Sequence, residues 1–445
     1  MVESGIKGPL AIRRAVRQGV RLAWGAAAAL ALAGCGNTYR PVVTAINPVG
    51  PAAQPQKYAL AVASSPNPNT PGLVTLVDFS GDTVLVTPNV GVGPYFLAID
   101  PAGVTGYTLN SDTTLTSFDI SPSLLTNQVL ETTLLAGANP NGIFPYSQNT
   151  YVTEPGRNAV AQLSGSPIAL HQELPVTANP VWVAGISGGA RAYVISQGST
   201  PGVPGVAAAI ESANNTISTT IPVGVDPVYA LMTADGKRVY VVNSGDNTVS
   251  VLNAQTNQLD VVPTGATNPI AVGATPVWAD LAPARNELVV ANAGNGKGVG
   301  SVSIVNIPLC STTAQPTNPN CNSLNPTDAA GFGQVLATVP VGHSPVMVAV
   351  LQDGTRAYVA NYQDSTVSVV SLLSNTVTAT IPVVGRPIYI AATQGTPTGK
   401  VYVVSADTVA PNKNSVMTVI RTDTDTVDTT IDLQGTGVSV KVTQK

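Results

Sequence analysis

The stretch DPVYALMTADGKRVYVVNSGDNTVSVLNAQTNQLDVVPTG, residues 226–265, decides the fold. It breaks into four short runs of β-branched and aromatic residues separated by turn formers, the pattern of consecutive antiparallel strands. The first run follows Pro227, and Asp235-Gly236 leads to the second, RVYVVN. A polar turn leads to TVSV, and an Asn-containing turn to a fourth run ending in Pro-Thr-Gly. Asp-Gly between alternating strands predicts a tight hairpin of type I′, whose two central residues both need positive φ. A second copy, SPVMVAVLQDGTRAYVANYQDSTVSVVSLLSNTVTATIPVVG at 344–385, repeats the plan with Asp353-Gly354 in the same place.

Other copies drift further. First strands are predicted to begin near Pro94, Pro140, Pro180, Pro227, Pro276, Pro345 and Pro387. Second strands carry Tyr107, Tyr151, Tyr193, Tyr240, Tyr358 and Tyr402 at the matching position, with Val289 standing in once. These seven units of about 40–70 residues have the spacing of propeller blades. The chain ends supply an eighth. Residues 57–90 offer second, third and fourth strands without a first, and GVSVKV near the C-terminus offers a first strand with nothing after it. The expected fold is therefore all-β: a single β-propeller of four-stranded antiparallel blades, its ring closed by the C-terminal strand. Eight blades is the count, and seven is the alternative if the poorest unit, 138–178, is irregular.

Tyr240-Val241-Val242-Asn243 and Tyr358-Val359-Ala360-Asn361, with Tyr151-Val152-Thr153 followed by Glu154, resemble the tetrad Tyr-Val-Thr-Asn. That tetrad names a family of bacterial and archaeal β-propellers, and the resemblance runs from 57 to 443. It implies the fold and says little about activity, because the family spans surface-layer proteins and uncharacterised lipoproteins. Lactonase-like and quinoprotein-like propellers are among its relatives.

Five of the 20 basic residues and one of the 24 acidic ones fall within the first 21 positions, which leaves residues 36–445 with 15 basic against 23 acidic groups. No Lys/Arg cluster follows, so nucleic acid is not an expected partner. The basic start leads into LAWGAAAALALAG, 13 apolar residues. That is short for a bilayer span of about 20 and suits a signal-peptide core. It ends in Leu32-Ala33-Gly34-Cys35, which resembles the bacterial lipobox. The resemblance implies cleavage before Cys35 and acylation of that cysteine; a secretory signal with an incidental cysteine is the plainer reading. Multiple acyl chains anchor stably. The expected organisation is a signal peptide over 1–34, lipidated Cys35 with a flexible Pro- and Gly-rich tether over 35–56, and the propeller over 57–445. Gly36 is not the Asp that resembles an inner-membrane retention signal, which favours the outer membrane as the site of anchoring.

Cys310 and Cys321 flank a polar loop in the longest insertion. In an oxidising compartment such a pair forms a disulfide, contributing on the order of 3 kcal/mol. A metal site is the alternative, with no His or third Cys nearby to complete it.

In a propeller the first strands line the central channel, and one face gathers the turns from strand four to strand one and from strand two to strand three. Asp226, His343 and Arg386, beside three first-strand prolines, are the candidate polar cluster at that mouth; solvated loop residues of a drifting repeat are the bland reading. His171 falls on an outer strand. Two residues after the prolines, Phe96, Trp182, Tyr229, Trp278, Met347 and Tyr389 recur. They are read as wedges between blades, with a stacking platform for sugar or a planar cofactor as the alternative. Asp112, Asp246 and Asp364 in the second turns read as Asx-type turn formers rather than cation ligands. No nucleophile elbow, haem motif or phosphate loop is present, so no catalytic residue, metal or cofactor is expected. The reading is a membrane-anchored binding or interaction module, monomeric, with an unknown protein or carbohydrate partner. The alternatives are a lactonase-like envelope hydrolase using Asp226, His343 and Arg386, and a structural surface-layer component.

Overall fold

The computed structural model describes residues 57–121, 129–146, 148–262, 267–296, 298–307, 331–393, 398–407 and 414–443. Cys35, Cys310 and Cys321 lie outside them, as do the signal and tether. The described residues form eight antiparallel sheets, each built around a four-strand meander. Blades 1–7 begin with the inner strands Pro94–Ile99, Gly142–Tyr146, Pro180–Gly185, Pro227–Met232, Pro276–Ala282, Pro345–Val350 and Pro387–Thr393. Each inner strand packs on the next around the ring. Blade 8 is the split one. Its inner strand is Thr436–Val442, paired with Tyr58–Ser64, which pairs with Pro71–Asp78 and then Val84–Val86 and Asn89–Val92. The unit at 138–178 is a regular blade 2, so the count is eight.

One local expectation is corrected. Gly236 and Gly354 have positive φ, but Asp235 and Asp353 do not, so the hairpins are not two-residue type I′ turns. The loop is longer: Thr233 N donates to Arg238 O, and Gly236 N to Thr233 O at 2.8 Å. The Asp carboxylate takes the N–H two residues on, from Lys237 in one copy and Thr355 in the other. A side-chain bond to the local backbone replaces the second left-handed residue.

The repeated Tyr and Asn have separate structural duties. Tyr151, Tyr193 and Tyr358 are fully buried on second strands. Their hydroxyls donate to Asn215, Asn257 and Asp425, at 2.6, 2.5 and 2.6 Å. Each acceptor sits with positive φ in the third turn of the following blade. Asn and Asp tolerate that conformation and carry the acceptor. The tyrosines therefore tie blade to blade.

The asparagine locks its own blade. Asn110, Asn243, Asn292 and Asn361 are fully buried at the end of second strands. Each side-chain amide donates to two hydroxyls on the third strand: Thr114 and Thr116, Thr248 and Ser250, Ser301 and Ser303, or Thr366 and Ser368, all at 2.8–3.1 Å. The fourth-strand glycine of the preceding blade lies on top. A Cβ at Gly224 or Gly342 would come within 2.5 Å of Asn243 or Asn361, so no larger residue fits there. Truncating Asn361 to Ala leaves both hydroxyls without their donor and opens a hole. The expected cost is about 2–4 kcal/mol, read as a lower midpoint in urea denaturation; an unchanged midpoint would remove the clasp from the account.

Candidate functional site

Two faces are distinct. On the proline face, the turns entering first strands meet the second turns. Residues before the prolines adopt left-handed φ there, including Asp226, Thr275 and Ser344 at 47°, 52° and 50°. Second-turn acids hold these corners. Asp246, Asp364 and Asp407 accept the backbone N–H of Val225, His343 and Arg386 at 3.0, 2.7 and 2.8 Å. Asp112 instead accepts from Thr114 within its own turn.

Asp226, His343 and Arg386 all lie on this face, at the corners of blades 4, 6 and 7. His343 Nδ1 is 2.9 Å from Asp364, and Arg386 pairs with Asp407 at 2.6 Å. Hydrogen bonding to Arg386 holds the Asp407 carboxyl below the usual carboxylate range. The Arg386 guanidinium also lies over the Tyr362 ring, 5.0 Å from its centroid. Tyr362 N in turn donates to Ser344 O. The corners of blades 6 and 7 are thus joined through Tyr362, while no bond joins Asp226 to them among the described residues. His171 is exposed on the outer strand Ala169–Pro175.

At the axis, the recurring aromatics meet one another. Ring centroids are 5.7 Å apart for Phe96 and Trp182, 4.9 Å for Trp182 and Tyr229, and 3.8 Å for the stacked pair Tyr229 and Trp278. Trp182 and Trp278, two blades apart, are at 5.7 Å, and Trp278 and Tyr389 at 6.1 Å. Contact between alternate blades requires the rings to cross the channel, so they fill it at this level. They are wedges and also a floor. Beyond them a cavity of about 410 Å³ opens toward the other face, where first strands turn into second strands. Phe96, Phe144, Trp182, Tyr229, Leu231 and Lys441 are among its lining residues. This volume lies in the range of small-molecule sites. This axial cavity thus opens on the hairpin face, and Asp226, His343 and Arg386 are not among its lining residues.

Two charged groups at the axis were not singled out from the sequence. Asp280, on the inner strand of blade 5, accepts the N–H of Val350 and of Leu281, each at 2.8 Å. Desolvation pushes its carboxyl up to about 6, against the pull of those donors and of Lys441. Lys441 Nζ lies 4.9 Å from the centroid of the Tyr389 ring and makes no salt bridge among the described residues. Burial, with Asp280 and Tyr389 nearby, raises the Tyr229 hydroxyl well above its ordinary value. A signal existed for Asp280. Aligning the prolines puts Ala98, Phe144, Ala184, Leu231, Ala349 and Ala391 at its position, so a lone acid breaks an apolar column.

No family model matches the sequence, and no curated protein does. Solved structures do resemble it. Apo AztD from Citrobacter koseri aligns at 13% identity over 87% of this chain and 98% of that one, with a TM-score of 0.58. Dihydro-heme d1 dehydrogenase NirN, in complex with DHE, aligns at 10% identity over 90% of this chain and 78% of that one, with a TM-score of 0.59. At such identities the likeness is one of fold.

Proposed function

We propose that this chain is an envelope lipoprotein whose propeller is a monomeric binding module, with its ligand site in the axial cavity on the hairpin face. The observation that carries the reading is the aromatic floor: Phe96, Trp182 and Tyr229 present apolar ring surface beneath an open, small-molecule-sized space. Rings held by one another need little reordering when a flat ligand stacks on them. Lys441 supplies a single cation on the wall. The lipobox-like end of the signal and the tether over 36–56 support anchoring through Cys35, in the outer membrane, with the module held clear of the bilayer.

The test is a titration of intrinsic tryptophan fluorescence with anilinonaphthalene sulfonate, a flat anionic probe. Saturable quenching is expected, with affinity about tenfold lower or worse in Trp182→Ala, since a buried aromatic anchor contributes 2 kcal/mol or more. Lys441→Ala is expected to weaken the same probe by a smaller factor. Binding that survives Trp182→Ala unchanged would dismiss the cavity as the site. Anchoring is checked separately: Cys35→Ser should move the protein from the detergent phase to the aqueous phase.

A further inference from the structure

A second hollow adjoins the first. Between blades 1 and 2 lies a cleft of about 600 Å³, bordered by Asp100, Tyr107, Tyr146, Gln148, Thr150 and Ser164 among others. Asp100 and Pro145 line both it and the axial cavity, so the two lie side by side on the hairpin face. Their chemistry differs. The axial cavity is walled mostly by rings and aliphatic side chains, with Lys441 and Asp100 as its charged members, whereas the cleft offers hydroxyl, amide and carboxylate groups. Asp100 Oδ1 is committed to the turn, accepting from Val104 N and Thr105 N at 2.7 and 2.8 Å, while its other oxygen has no partner among the described residues. Gln148 is exposed at the lip, its amide likewise without a partner there. The Tyr107 hydroxyl lies beside Thr150 and Thr105.

We infer, on the basis of the reading above, that the ligand is a neutral glycan chain, with its terminal sugar ring stacked on the axial aromatics and the following units laid along the cleft between blades 1 and 2. Four features point to this class. Sugars present a flat C–H face to aromatic rings and hydroxyls at their edges, the division of apolar floor and polar wall found here. Amide, phenol and carboxylate groups together can donate to and accept from the same diol. Lys441 and Asp100, the charged side chains among the lining residues of the two hollows, select neither a polyanion nor a polycation, while hydroxyls satisfy both. Two adjoining hollows that share Asp100 and Pro145, each within the usual range for a small-molecule site, suit a chain better than a compact molecule.

The experiment is calorimetric titration of the full protein, in detergent, with cellotriose, maltotriose and triacetylchitotriose beside glucose and N-acetylglucosamine. At least one trisaccharide is expected to bind tenfold or more tightly than its monosaccharide. Tyr107→Phe with Gln148→Ala should return that trisaccharide to within about threefold of the monosaccharide, and Trp182→Ala should abolish both. Neither cleft change touches a core-packing side chain that is fully buried, and a melting curve matching the parent's confirms that the fold is kept. Trisaccharides that bind no better than monosaccharides, or an advantage that survives the cleft changes, would overturn the inference. If no sugar binds while the flat anionic probe still does, the glycan is refuted and the axial site stands; if neither binds, both readings fall.

Discussion

Removing residues 435–445 is expected to unfold the propeller rather than shorten it. Thr436–Val442 is the inner strand of blade 8 and pairs along its length with Tyr58–Ser64, from Ala59 opposite Val442 to Ser64 opposite Thr436, with one bulge between Val62 and Ala63. Thr443 and Tyr58 add reciprocal bonds just beyond, at 2.9 Å each. Val440 is fully buried with Val404, Met417 and Val419 of blade 7, and Val438 packs against Leu60, Val62 and Leu97 on the other side. The deletion therefore exposes two inter-blade cores and leaves a bare strand edge. At about 1.5–3 kcal/mol per large aliphatic side chain returned to water, the loss rivals the 5–15 kcal/mol that holds a typical domain folded. Circular dichroism in rising urea should show no cooperative transition. A truncated protein that melts cooperatively near the parent midpoint would show that the ring does not depend on its clasp.

Glu154 is expected to make the protein weaken as pH rises from acid to alkaline. It occupies blade 2 where Asn243 and Asn361 stand in blades 4 and 6, opposite Ala159 rather than a threonine, with Ala161 in place of the serine. The clasp is absent, and a wholly buried carboxyl replaces it. Desolvation and the facing Glu173 push Glu154 from an ordinary 4.5 up to about 8, while Arg157, bonded to Glu173 at 2.5 and 2.9 Å, holds Glu173 low. Between about 4.5 and 8 the folded protein keeps a proton that the unfolded chain releases. Stability therefore falls with increasing pH across that window and levels off above it. The full effect is on the order of a few kcal/mol, shared with Glu173. Glu154→Gln keeps the shape and a donor for Glu173 but cannot ionise. It should be nearly neutral at pH 4 and more stable than the parent at pH 9, by several degrees in melting temperature. A variant whose advantage does not grow with pH would show that Glu154 is not the group responsible.

The contrast between Asn361 and Glu154 shows what the repeat disclosed. Strands and blade boundaries were legible because each depends on residues within about 40 positions of one another, and the split closing blade because each chain end offers the strands that the other lacks. The tetrad's own purpose was not legible. The tyrosine's partner lies some 65 residues on, as with Tyr193 and Asn257, and the asparagine's two hydroxyls become a pair only when strands align. The Asp-Gly hairpins were legible in place but not in geometry, since Asp235 satisfies the turn with its carboxylate instead of its φ. Among the site residues, the placement of Asp226, His343 and Arg386 on one face followed from repeat register. Their partners, Tyr362 and the second-turn acids, followed only from packing.

From the sequence alone came a ring of four-stranded blades closed by its last strand, counted as eight with seven open until unit 138–178 proved regular, because turn chemistry and alternating burial act locally and recur with the repeat. Which end of the axis stands open was decided only by the tertiary structure. Phe96, Trp182, Tyr229, Trp278 and Tyr389 are spread over nearly 300 residues and touch only after the ring has closed. Their bulk fills the channel at one level and leaves a cavity on the hairpin face, a consequence of side-chain volume converging on a common axis that no local pattern encodes.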